Sequence, residues 1–118
     1  MIAPQTVFPL LGILFVALAW PLANRRIPPN RWYGLRVPAT FADKTVWYDA
    51  NAVTGRDMMT LGAVVTVVAV VLPHVAHLRI ESYTLILVAL LALGSLVLAI
   101  RGWRLANQLL RERRNASG

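Results

Sequence analysis

The chain has 118 residues, enough for one compact unit and too few for two ordinary domains. It is 58% hydrophobic and only 14% charged, against about a quarter charged in soluble domains, and its apolar residues fall in blocks. The net charge of +7 gathers beside those blocks, which points to anionic phospholipid headgroups rather than nucleic acid.

From Met1 to Ala23 no side chain is charged, and Val7 to Leu22 forms an apolar centre. With a few flanking residues this crosses about 30 Å of hydrocarbon, giving a first span over about 5–23. Pro4 and Pro9 stand near its start, where proline is best tolerated. Arg25 and Arg26 follow the stretch instead of preceding it, so a span is expected and not a cleaved signal. A second span is expected over about 57–77 and a third over about 82–102. The second is rich in valine, but a helix is the only sensible single segment in lipid. Gly62 and Thr66, then Gly94, Ser95 and Ala99, are small residues that let helices approach. Packing within the chain is preferred to oligomerisation as their role, and the oligomeric state stays open. No ionisable residue lies in the middle of a span, which argues against a proton relay or transporter core.

Arginine and lysine then set the sidedness. Arg25, Arg26, Arg31, Arg36, Lys44 and Arg56 lie between spans one and two, and Arg101, Arg104, Arg111, Arg113 and Arg114 follow span three. Only Arg79 lies between spans two and three. The expected topology has the N-terminus outside, with the segment 24–56 and the tail 103–118 cytoplasmic. Trp20 and Trp103 fall at the inner interface, as an aromatic belt requires. The fold class is therefore an all-α membrane protein. It has three transmembrane helices, with an interfacial loop and a short amphipathic helix between the first and second, in one domain over 1–118. The third helix is expected to run past Leu109 into a basic, disordered tail from about Glu112.

The segment between the first two spans carries the most information. Pro28, Pro29 and Pro38 exclude a helix there and push the preceding residues to extended conformations. Gly34 admits a positive φ that Tyr33 and Leu35 would resist. A rigid loop at the membrane surface follows. Thr40 is the expected N-cap of the next helix, with Asp43 three residues on, near the positive end of the dipole. From Phe41 the chain continues into span two as one helix or a bent pair, with Gly55 as the weakest point. Asp43, Trp47, Asn51 and Gly55 are spaced by four and share one face. That stripe leans either on the proline-rich loop or on the headgroups.

The string Pro-Pro-Asn-Arg-Trp-Tyr-Gly-Leu-Arg from Pro28 to Arg36, with Val46-Trp47-Tyr48, Asn51 and Gly55-Arg56, resembles the signature of the SdpI immunity-protein family. Asn30, Gly34, Arg36, Trp47, Asn51 and Gly55 match that pattern one by one. Val37 departs from it, because threonine often follows the motif arginine. The resemblance covers about Ile27 to Leu61. It implies a multi-pass protein of the bacterial cytoplasmic (inner) membrane. Some members protect a producing cell from a secreted peptide toxin and take part in signalling to a transcriptional repressor. The partner so implied is a peptide toxin or a membrane protein. The alternative is an accessory structural subunit packed beside a larger membrane complex.

Candidate contacts to a partner or to lipid are Asn30, Trp32, Tyr33, Gly34, Arg36, Trp47, Asn51, Gly55 and Arg56. Arg36 reaches backbone carbonyls, Asp43 or a lipid phosphate; a clamp between loop and helix is preferred to a ligand contact. Arg31 and Arg56 read as headgroup contacts. Trp32, Tyr33, Trp47 and Tyr48 read as interfacial anchors before stacking platforms. Asn51 is placed to bond the loop backbone. His74 and His77, three residues apart, share a face, but a metal needs a third ligand, and two interfacial histidines are the simpler reading. No cysteine, nucleophile–base pair, paired carboxylates or phosphate loop is present. No enzyme activity and no cofactor are expected.

Overall fold

The computed structural model describes residues 3–117 and contains four helices: α1 (Pro4–Ala23), α2 (Pro38–Ala42), α3 (Lys44–Val75) and α4 (Ile80–Ser117). Met1, Ile2 and Gly118, which belong to the expected N-terminal face and basic tail, lie outside the described residues. The fold is all-helical, and α1, α3 and α4 are long and apolar enough to cross a membrane.

α3 is the central helix: α1 packs along one side of it and α4 along another, while α1 and α4 barely touch. The α1–α3 seam is built on absent side chains. A Cβ on Gly62 would lie 2.5 Å from the Gly12 carbonyl oxygen and 2.9 Å from Phe15 Cβ. Such backbone proximity is how small residues drive helix association where lipid offers no hydrophobic contrast. Thr66 donates its hydroxyl to the Gly62 carbonyl at 2.8 Å, so its polar group is satisfied within its own helix. Gly94 does for α4 what Gly62 does for α1, leaving room for Leu61. Phe8, Val65, Ala69, Tyr83 and Leu87 fill the centre, with the Phe8 and Tyr83 rings edge to face at 6.1 Å. The Tyr83 hydroxyl donates to the Ala69 carbonyl at 2.7 Å. Leu10, Ile13, Leu14, Leu85, Leu93 and Leu96 remain exposed, the surface expected of helices solvated by acyl chains.

Two close contacts mark one level across the bundle. A Cβ on Gly55 would lie 2.7 Å from Ala23 N, and one on Gly102 would lie 2.7 Å from Thr54 Oγ1. Counting about 20 residues back from this level brings all three helices to the link at 76–79 or the start of α1, a distance of about 30 Å. Three stretches, each long enough to cross a hydrocarbon layer, therefore end at the level of Ala23, Gly55 and Gly102. Beyond it α3 and α4 continue, which makes the molecule 60 Å long but only 21 by 20 Å across. Their extensions enclose a second small core of Ala39, Val46, Ala50 and Ala106, flanked by Leu35, Val37, Leu109 and Leu110.

Two local expectations change. Thr40 does not cap the long helix: it stands inside α2, and Asp43 is the N-cap of α3, accepting the N–H groups of Thr45 (2.7 Å) and Val46 (3.2 Å). The extended Asp43 backbone separates α2 from α3, so the chain takes the bent-pair form, with Gly55 inside an unbroken helix. The basic tail is helical through Ser117 rather than disordered from Glu112. Ala106, Leu109 and Leu110 pack it against the extension of α3, and Arg113 ties it to Asp43 at 2.8 Å.

Candidate functional site

α1 ends abruptly. Arg25 takes a positive φ of 59°, and the N–H groups of Arg25 and Arg26 return to the carbonyls of Leu22 (3.2 Å) and Pro21 (2.9 Å). This closure satisfies carbonyls left free at a helix end and turns the chain into the loop. Arg25 then pairs with Asp49 of α3, and the Arg26 guanidinium lies 4.9 Å from the centre of the Trp20 ring.

Asn30 organises the loop. Its side-chain oxygen accepts the N–H groups of Trp32 (2.8 Å) and Tyr33 (2.9 Å), and its amide donates to the Pro28 carbonyl (2.8 Å). A chain held open by Pro28 and Pro29 has no ladder in which to satisfy these groups, so an asparagine turn supplies the partners. Gly34 follows with a φ of 107°, a conformation that costs any residue bearing a Cβ. A Cβ there would also stand 2.9 Å from Asn51 Oδ1 and 3.5 Å from the Trp47 ring.

α3 presents the other half. Asn51 is 1% exposed; it accepts the Leu35 N–H at 2.5 Å and donates to the carbonyls of Leu35 (3.3 Å) and Trp47 (3.0 Å). The fully buried Trp47 donates its indole N–H to the Ile27 carbonyl at 2.8 Å. Thr40, also fully buried, donates to the Leu35 carbonyl (3.0 Å) and accepts the Val37 N–H (3.1 Å). Gly55 lets α3 touch the end of α1, beside Ala19 and Ala23. Residues four apart on one helix face thus meet three separate stretches of backbone.

Arg36 donates to the Arg31 carbonyl, one of the acceptors foreseen for it. Asp43, a rival acceptor, is occupied by Arg113, and that bonded guanidinium holds the Asp43 carboxyl below the usual carboxylate range. Trp47 is buried behind the loop, with the Phe41 ring 5.5 Å from its own, so it is not an interfacial anchor. The expected stripe therefore leans on the loop through Trp47, Asn51 and Gly55, while Asp43 sits just outside the helix. Arg56 is exposed, and its carbonyl accepts the Thr60 hydroxyl at 3.1 Å. His74 and His77 are both exposed, at the other end of the molecule from this cluster.

What faces outward is narrower. Trp32 is 85% exposed, flanked by exposed Arg31 and Arg36 and half-buried Tyr33. Gly34 touches Leu22 and Leu35 touches Gly102, so the loop tip stands at the level of Ala23, Gly55 and Gly102. The sequence does not single out Leu35 or Arg113 as members of this cluster. Thr40 reads from the sequence only as a cap, and Arg113 only as one of the basic residues that follow the third span.

No curated protein and no solved structure matches the chain. The model of the SdpI/YfhL protein family matches residues 26–102, which take in the loop from Arg26 onward, α2, α3 and α4 as far as Gly102. With well over half of its length matched, and with Asn30, Gly34, Trp47 and Asn51 interlocked as described, this chain belongs to the SdpI/YfhL protein family.

Proposed function

We propose that this protein is an immunity or signalling protein of the bacterial cytoplasmic membrane, engaging a peptide toxin or a partner protein through the surface around Arg31, Trp32 and Arg36. The observation that carries the reading is Trp32, 85% exposed on a turn whose neighbouring backbone N–H groups are bonded to Asn30. The interlocked loop gives this indole a fixed platform. Tryptophan and arginine are the residues most enriched where binding energy concentrates. A rigid presentation also avoids the ordering cost a flexible loop would incur on binding. The arginine distribution supports a cytoplasmic position for this surface and for the C-terminus, with the link at 76–79 outside.

Two measurements test it. A photo-crosslinking amino acid at position 32 in intact cells is expected to capture one defined peptide or protein, and Arg31→Gln with Arg36→Gln is expected to abolish the capture. Crosslinks to lipid alone would overturn the reading. Crosslinks to a large complex from α4 positions such as Leu93, with none from position 32, would favour an accessory subunit instead. For sidedness, a cysteine at exposed Ala42 is expected to resist an impermeant thiol reagent and one at Ser82 to react. The reverse pattern would place the loop outside.

A further inference from the structure

On α3, Gly55, Gly62 and Thr66 face α1, while Asp57, Thr60 and Val64 lie about half a turn round, on the side α1 leaves open. There α3 and α4 border a groove of about 410 Å³. Its body is apolar, lined by Leu61, Val64, Leu90 and Val97, and its polar members Asp57, Thr60 and Arg101 stand together at one end. From Leu90 to Arg101 the groove runs about 16 Å along α4, close to the depth of one leaflet. Its charged end coincides with the level of Ala23, Gly55 and Gly102.

Arg101 donates from Nη1 to Asp57 at 3.2 Å, yet its side chain is 63% exposed, and a guanidinium carries five N–H donors. Arg104, three residues on, follows on the same face of α4. Within the groove Arg101 and Asp57 balance, and Arg104, just beyond its lining, adds one positive charge at this end. A channel one leaflet deep, apolar in its body and with arginines at its mouth, has the depth and polarity to take one acyl chain of a phospholipid with the phosphate at the mouth.

We infer that this groove binds one phospholipid with an anionic headgroup, drawn from the leaflet at the arginine-rich end. An acyl chain lies along Leu61, Val64 and Val97, and the phosphate meets Arg101 and Arg104. Guanidinium suits this role, because its planar fork holds two phosphate oxygens at once. None of the residues lining the groove belongs to the loop that carries Trp32, and the inference does not rest on the proposed function.

The full chain in mild detergent, titrated with dioleoyl phosphatidylglycerol or dioleoyl phosphatidylcholine, tests the inference by native mass spectrometry and thermal unfolding. One phosphatidylglycerol is expected to bind, preferred about fivefold for each guanidinium engaged. Arg104→Gln is expected to reduce that preference, and Asp57→Asn with Arg101→Gln to reduce it without leaving an unpaired carboxylate. Val97→Trp fills the groove from an exposed position and is expected to exclude both lipids. Trp32→Ala is expected to leave the preference intact, which separates this site from the partner surface. Equal retention of the two lipids would overturn the inference. So would a preference that survives loss of both arginines, or a bound mass equal to a second copy of the chain.

Discussion

Replacing Asn51 with leucine keeps the size of the side chain and removes every hydrogen bond that joins α3 to Leu35. The Leu35 carbonyl retains the Thr40 hydroxyl at 3.0 Å, but its N–H, now bonded to Asn51 Oδ1 at 2.5 Å, loses its partner beneath a buried site. An orphaned buried donor costs about 1–3 kcal/mol, and the lost bond from the Asn51 amide to the Leu35 carbonyl adds about 1 kcal/mol, so the loop is destabilised by roughly 2–4 kcal/mol. That energy corresponds to an opening equilibrium roughly 30- to 1000-fold more populated. Hydrogen exchange of the purified protein in detergent, read on a peptide covering 30–37, is the direct assay. The expected result is exchange accelerated by that factor in Asn51→Leu, with smaller acceleration in Asn51→Asp, which keeps the acceptor. Wild-type protection of Leu35 in Asn51→Leu would refute the claim that α3 holds the loop through this side chain.

Three further outcomes are expected. Gly34→Ala forces a Cβ into the positive-φ region and against Asn51 Oδ1, so thermal stability should fall by about 1–3 kcal/mol; an unchanged melting temperature would contradict the strain. Gly62→Val wedges the α1–α3 seam apart, and overpacking of about 1–3 kcal/mol should appear as lower melting temperature and faster trypsin cleavage, while Ala63→Val on the exposed side should be silent. The Asp43 carboxyl is held below its usual range, so its contribution is complete above about pH 4 and is lost as acidification passes through the lowered value. Asparagine still caps the helix but cannot pair with Arg113, so a melting series between about pH 6 and pH 3 should be flatter for Asp43→Asn than for wild type.

The membrane helices were legible because a charge-free stretch of about 20 residues has few alternatives, and lipid removes the rest. The motif face was legible for a different reason: Trp47, Asn51 and Gly55 repeat every four residues, and a polar asparagine between apolar neighbours announces a partner. The partner itself was not legible, since Leu35 offers only its backbone, which every residue possesses. The cap was misplaced because Thr40 and Asp43 are both capping residues, and only the α2 turn after Pro38 decides between them. The tail was misread because Arg111, Arg113 and Arg114 look solvated in isolation; its order comes from Ala106 and Leu109 meeting Val46 and Ala50 from a distant stretch of chain. Likewise nothing local says that Trp47 turns inward and Trp32 outward, although both are tryptophans beside the same membrane face.

α3 runs unbroken from Lys44 to Val75, with Trp47 and Asn51 near one end and Pro73 near the other. Such a rod acts as a lever. Tilting it by about 10° around the far end sweeps the Trp47 end sideways by roughly 7 Å, given about 1.5 Å of rise per residue. Because the loop and α4 are both fastened to that end, a modest change of angle among lipids becomes a displacement of the whole arginine-bearing head.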